Sequence, residues 1–227
     1  MSRSLTRLSL FIRIWFRSYY AILLMLLIPF VAVVIYNQST YTIGDLVSIV
    51  FEEAAPIWFV LILQWCLSID VDSKFHMQVM TYPIARWKFL MERLLFAAVI
   101  FISLLGIVSL VLMPFMGGFA WQSLVFTIPV YITFAGIIVA GTVLGNHSVG
   151  GILAGIIFWL VSLSSGEILL YLNPVLLDSP NVYQFANDKS GFFSIENRWI
   201  IYNRLFYMGI GVLLIGLAIF RFNRKSA

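Results

Sequence analysis

Four charged residues stand inside long apolar stretches, where charge is costly to keep. Glu52 and Glu53 lie roughly two turns into the second stretch, Glu167 in the outer part of the fifth, and Arg204 one to two turns into the sixth. Insertion scales put a charge at mid-membrane at about 2.5–3.5 kcal/mol, and lower near the interface. Such groups either pair or face water. The expectation is that Glu52 or Glu53 partners Arg204, and that all four border the outer mouth of a pathway. Snorkelling at the water boundary is the competing reading.

Other reactive side chains are sparse. Cys66 is the single cysteine, so no intramolecular disulfide and no zinc cluster can form from cysteine. Asn146 and His147 sit in a run of small and polar residues, 145–151, that reads as a tight turn; with no acidic or sulfur residue beside it in sequence, His147 reads as a solvated turn histidine. The sequence has no phosphate-binding Gly-x-x-x-x-Gly-Lys-Ser/Thr, no His-Glu-x-x-His and no Gly-x-Ser-x-Gly. The chain is therefore expected not to be an enzyme and to hold no metal or cofactor of its own.

The elements that must position these residues are apolar helices. Hydrophobic residues make up 62% of the 227 and charged ones only 11%, far from a soluble balance. Six apolar stretches, at about 19–36, 46–69, 94–115, 124–144, 149–172 and 199–220, each approach the roughly 20 helical residues that span about 30 Å of hydrocarbon. Several are apolar on all sides, which a barrel strand cannot be. The expected fold is all-α: one transmembrane domain over 1–227 with six transmembrane helices.

Charge sets the orientation. Arg3, Arg7, Arg13 and Arg17 precede the first stretch; Lys74, Arg86, Lys88 and Arg93 lie between the second and third; Arg221, Arg224 and Lys225 follow the sixth. That places eleven of the 14 basic residues on one side, which the positive-inside rule makes cytoplasmic, with both termini. A multi-pass protein of the plasma membrane is expected. The net charge of +4 reads as orientation and not as a nucleic-acid surface.

Three connecting pieces stand out. Residues 2–18 form an amphipathic wheel, with Leu5, Leu8, Phe11, Ile12, Trp15 and Phe16 on one arc and arginines opposite, which suits a helix lying along the inner interface. The cytoplasmic loop 70–93 offers Asp70, Asp72 and Ser73 as helix caps, a helix to about Tyr82, and Pro83 as a corner before the next helix. The outer segment 173–198 mixes turn signals with short apolar runs. Gly136, Gly141, Gly150, Gly151 and Gly155 predict close packing of the fourth and fifth helices.

The loop 70–93 resembles a segment in the membrane subunits of type-2 ABC exporters, in which an acidic pair precedes Gly-Thr, an apolar run and a Pro-Val/Ile-Ser/Ala-Arg corner. The matching residues are Asp70 and Asp72, the corner Pro83-Ile84-Ala85-Arg86, and Arg93 opening the next span; Lys74 and Phe75 depart from the usual Gly-Thr. The order of parts also matches. Asn203-Arg204, followed by an apolar helix and a basic tail, is similar to small Gram-positive antimicrobial-peptide and lantibiotic-immunity permeases. The resemblance implies half of an exporter: a second permease subunit, identical or related, and two copies of a separate ABC ATPase that binds ATP and Mg. It implies a coupling helix over Asp70–Tyr82, with Asp70, Asp72, Lys74, Phe75, Pro83 and Arg86 meeting the ATPase, and Asn146 and His147 as a second contact. The cargo class would be amphipathic: a peptide, antibiotic or lipid. A gradient-driven carrier or channel, or a non-transporting scaffold or sensor, are the rival readings.

Overall fold

The computed structural model describes residues 9, 12–19, 23, 27, 30, 34, 43–72, 86–164, 170–179, 182 and 197–224. Lys74, Phe75, Pro83 and Glu167 lie outside these residues, as do the coupling helix beyond Asp72 and most of the segments 19–36 and 173–198. Asp70 belongs to the last turn of one helix and Arg86 is the first described residue of another.

Every regular element among the described residues is helical. α1 (Ile43–Val47) runs through a π-helical stretch (Ser48–Ala54) into α2 (Ala55–Val71). α3 (Arg86–Met116), α4 (Phe119–Gly145), α5 (Ser148–Ser164), a 3-10 turn (Leu170–Leu172) and α6 (Arg198–Arg224) follow. Four helical stretches are long and apolar enough to cross a membrane: Gly44–Ile69, Trp87–Pro114, Phe119–Gly145 and Arg198–Arg224. The protein is thus helical and membrane-like. α5 is described over 17 residues, about 25 Å of rise; the rest of the expected stretch to 172 begins with residues outside the described ones.

The π-helical stretch ends just before a proline. Ala55 donates its amide to the Val50 carbonyl, five residues back. In that register the next donor, to Phe51, would be residue 56, but Pro56 has no N–H. The orphaned Phe51 carbonyl instead accepts the Tyr131 hydroxyl of α4 at 2.5 Å. The Glu53 carbonyl likewise accepts the Trp159 indole N–H of α5 at 2.7 Å. Irregular backbone in an apolar setting must be satisfied within the protein, and these side chains do so.

Packing makes α2 the axis and α6 the rim. Of the most apolar window of Gly44–Ile69, 72% is buried, against 17% of that of Arg198–Arg224. Phe59, Phe101 and Tyr131 interlock α2, α3 and α4, with ring centroids 4.6 Å and 4.8 Å apart for Phe59–Phe101 and Phe101–Tyr131. α4 meets α6 backbone to backbone: a Cβ on Gly136 would lie 2.6 Å from the Gly211 carbonyl oxygen, and one on Gly211 would lie 2.5 Å from that of Ile132. α4 meets α5 through Gly141 and Gly150 in the same way. The expected close fourth–fifth pair is present; the equally close α4–α6 contact adds Gly211, which the sequence reading did not single out.

At the N-terminus residues 12–17 are helical. Trp15 is buried edge-on against Trp65 of α2, centroids 4.9 Å apart, while Ile12 and Phe16 are exposed. Of the described part of the apolar arc, Trp15 alone packs inward.

Candidate functional site

At one end of the bundle, where α6 begins, the charged residues of the apolar stretches come together. Arg204 donates through Nη2 to Glu52 Oε1 at 2.5 Å and through Nη1 to the Pro174 carbonyl at 2.9 Å. Its guanidinium carbon stands 4.0 Å from the centroid of the Phe126 ring, a cation–π contact. The other Glu52 oxygen accepts the Leu176 and Leu177 amides, each at 2.7 Å, and the Ser48 hydroxyl at 3.5 Å. Both members are interior: Glu52 is 3% exposed and Arg204 7%. Charges so removed from water need this density of hydrogen bonds to balance their desolvation.

The pair belongs to a larger clamp. Asn203 Nδ2 donates to the Tyr171 and Asn173 carbonyls at 2.8 Å and 2.9 Å, and the Tyr207 hydroxyl donates to the Leu172 carbonyl at 2.5 Å. Asn203, Arg204 and Tyr207 occupy one face of α6 by their spacing and together hold four successive carbonyls, 171 to 174. Asn173 Oδ1 takes the Val175 amide at 3.1 Å. The segment 171–177 is therefore an irregular strap whose backbone polarity is met by side chains of α6 and of the π-helical stretch.

Of the two candidate partners, Glu52 is the one that meets Arg204. Glu53 instead lines an open cavity of about 680 Å³, with Asp178, Asn173, Tyr171 and Trp199. Tyr171 and Trp199 stack edge to face at 5.3 Å. The structure thus splits the charged set: Glu52 and Arg204 are interior and structural in position, while Glu53 faces the open space. Among the aromatics of this region, Trp58 and Phe59 are core residues and Trp199 reaches the cavity. Asp178 hydrogen-bonds the Asp45 carboxyl near the start of α1; that bond, then burial, then repulsion from Asp45 raise its pKa above the usual 3.8.

At the opposite end, the ends of α2, α3, α4 and α6 converge, since Val71, Leu90, Arg93, Asn146 and Phe222 line one small pocket. Asp72, just past α2, reaches across 76 residues of sequence to α5. Its Oδ1 accepts the Ser148 amide at 2.9 Å and its Oδ2 the Ser148 hydroxyl at 2.5 Å. Gln64 Nε2 of α2 donates to the same hydroxyl at 3.3 Å. Asp72 is thus the N-terminal cap of α5, supplied from another helix, where the dipole favours an anion. The helix that Asp72 is expected to cap on its own downstream side lies outside the described residues; among these, both of its oxygens accept from Ser148.

The α4–α5 turn is shaped to allow this. Asn146 is left-handed, φ 52°, a conformation that asparagine adopts more readily than most residues. His147 Nδ1 accepts the Val149 amide at 3.2 Å and lies 3.4 Å from Asp72 Oδ1. While its lone pair holds the amide, His147 is no donor to Asp72 from that nitrogen; the imidazole brackets the cap. His147 therefore has an acidic neighbour in space, although none stands beside it in sequence.

A scan against protein-family models finds no match, and searches of curated proteins and of solved structures find none either. Asp72, Asn146 and His147 are brought together, and so are Glu52 and Arg204. Ser148, Tyr131, Tyr207, Asp45 and Asp178 were not singled out by sequence reasoning, and Asn203 entered only as the neighbour of Arg204 in the resemblance. Asn203 and Tyr207 carried a usable signal: polar groups one turn apart on the face of an otherwise apolar helix.

Proposed function

We propose that the chain is the permease subunit of an ATP-driven exporter, with the Asp72–Ser148 end cytoplasmic and a separate ABC ATPase seated beneath it. The observation that carries this reading is the Asp72–Ser148 junction. It joins the root of the loop 70–93 to the turn 145–151, so the two elements expected to meet an ATPase share one end of the bundle. Force applied to the loop would pass through the α5 cap into α5, and through the α4–α5 glycine contact into α4. Six spans, an interfacial N-terminal helix held by Trp15, and a partner permease over the exposed apolar rim of α6 complete the proposed assembly in the plasma membrane.

The outer cavity is the proposed mouth. Two carboxylates, Glu53 and Asp178, beside a Tyr–Trp pair suit an amphipathic cargo with cationic groups. Glu52 and Arg204 act in this scheme as the fixed clamp of the mouth and not as its lining.

The test is ATP turnover by the complex of this chain with its candidate ATPase in lipid nanodiscs. Wild type and a variant with residues 73–85 replaced by a flexible polar linker are compared. Stable association with turnover that falls at least tenfold in the variant supports the exporter. Transport by this chain alone in liposomes, driven by an ion gradient, would favour the carrier or channel.

A further inference from the structure

We propose that the groove between α4 and α6 at the basic end of the bundle binds one anionic phospholipid, its phosphate held by Arg221 and Arg224. The groove measures about 470 Å³, within the size range of small-molecule sites. Its walls are apolar, with Leu144 on α4 and Leu214 and Leu217 on α6, and small residues, Ala140 and Ala218, leave it space. Among the described residues the only charged ones lining it are the two arginines, one turn apart on the same helix face. Neither pairs with a carboxylate among the described residues, and the Arg224 guanidinium rests 4.3 Å from the Phe220 ring centroid.

The dimensions fit a lipid within one leaflet. Gly211 is the midpoint of Arg198–Arg224, a stretch long and apolar enough to span a bilayer, and touches α4 there, three residues before the groove-lining Leu214. Arg221 follows ten residues later, about 15 Å along the helix, which is half of the roughly 30 Å hydrocarbon thickness. Apolar walls therefore cover acyl-chain depth and the guanidiniums reach headgroup depth, where basic residues between helices recruit anionic headgroups. The site does not depend on the exporter reading.

The test is native mass spectrometry of the purified full chain titrated with dioleoylphosphatidylglycerol and, separately, dioleoylphosphatidylcholine. Wild type is expected to retain one phosphatidylglycerol with about tenfold preference over phosphatidylcholine. Arg221→Gln/Arg224→Gln should abolish that preference, and Leu217→Trp, which fills the groove from an exposed position, should lower retention of both lipids about tenfold. Unchanged thermal midpoints show that the variants fold. Equal retention of the two lipids by wild type overturns the proposal. Unaltered retention in Leu217→Trp does so too, since it reduces the arginines to diffuse charge attraction. A dimer mass whose formation expels the lipid assigns the groove to a second copy.

Discussion

The Tyr131 hydroxyl donates to the Phe51 carbonyl, the acceptor that Pro56 leaves without a donor in the π-helical register. A proline in one span is thereby answered by a tyrosine in another, 80 residues from the carbonyl it serves. Loss of the hydroxyl leaves a buried carbonyl unsatisfied, at a cost of about 1–3 kcal/mol. Tyr131→Phe is expected to lower the thermal midpoint in detergent, and Pro56→Ala, which restores an N–H at 56, to remove most of that loss in the double variant. Equal losses in both backgrounds would disprove the link.

The Glu52–Arg204 pair is expected to behave as one unit. Arg204→Met strands a buried carboxylate and should cost about 3–5 kcal/mol. Glu52→Gln removes the charge while its amide oxygen can still accept the strap amides. The double variant should be less destabilised than the sum of the single ones by at least about 1 kcal/mol, read from unfolding in nanodiscs. Strict additivity would mean that the pair carries no coupling.

Asp72→Ala should uncap α5, costing about 1 kcal/mol locally. Amide hydrogen exchange at 148–151 is expected to quicken roughly fivefold, with Asp72→Asn recovering part of the protection. Exchange that is unchanged there would show the cap to be dispensable.

Gly211→Ala places a methyl group against the Ile132 carbonyl and should push α4 and α6 apart, whereas no atom stands within 4 Å of a Cβ on Gly209 or Gly216. Alanine at those two positions should be neutral or stabilise by about 0.4–1 kcal/mol. Thermal midpoints of the three variants are the measurement. Similar midpoints for Gly211→Ala and Gly209→Ala would refute the backbone contact.

The Asp45–Asp178 bond predicts a pH effect on the strap. A carboxyl whose folded pKa is raised favours the folded form fully below its unfolded value of about 3.8, and this contribution is lost as pH rises through the folded value. Asp178 is largely exposed, so solvent screening keeps the effect small. Exchange at 175–179, corrected for intrinsic rate, should be slower at pH 4 than at pH 7, and Asp178→Asn should flatten the difference. A flat profile in wild type would sink the shared-proton picture.

Much of the architecture was legible before any coordinates. Long apolar runs admit only helices, because the backbone must satisfy itself without water, and charges inside such runs must find partners. That logic gave the all-helical fold, the glycine-lined contact between α4 and α5, and a short list of two carboxylates for Arg204. It stopped there because Glu52 and Glu53 are adjacent in sequence and equal in chemistry. Only the three-dimensional course of the π-helical stretch turns Glu52 inward to Arg204 and Glu53 toward the cavity.

By itself the sequence determined that the chain is helical and apolar over four long stretches, that the ions inside them need compensation, and that a turn falls at 145–151, since these depend on local composition and periodicity. The tertiary structure decided what each polar group meets: Asp72 with Ser148, Asn203 and Tyr207 with the strap carbonyls, Asp178 with Asp45. Those pairings join residues at least 30 positions apart. Contacts at such distances follow from how the helices stack, and stacking is settled by the whole set of glycine approaches and ring contacts at once.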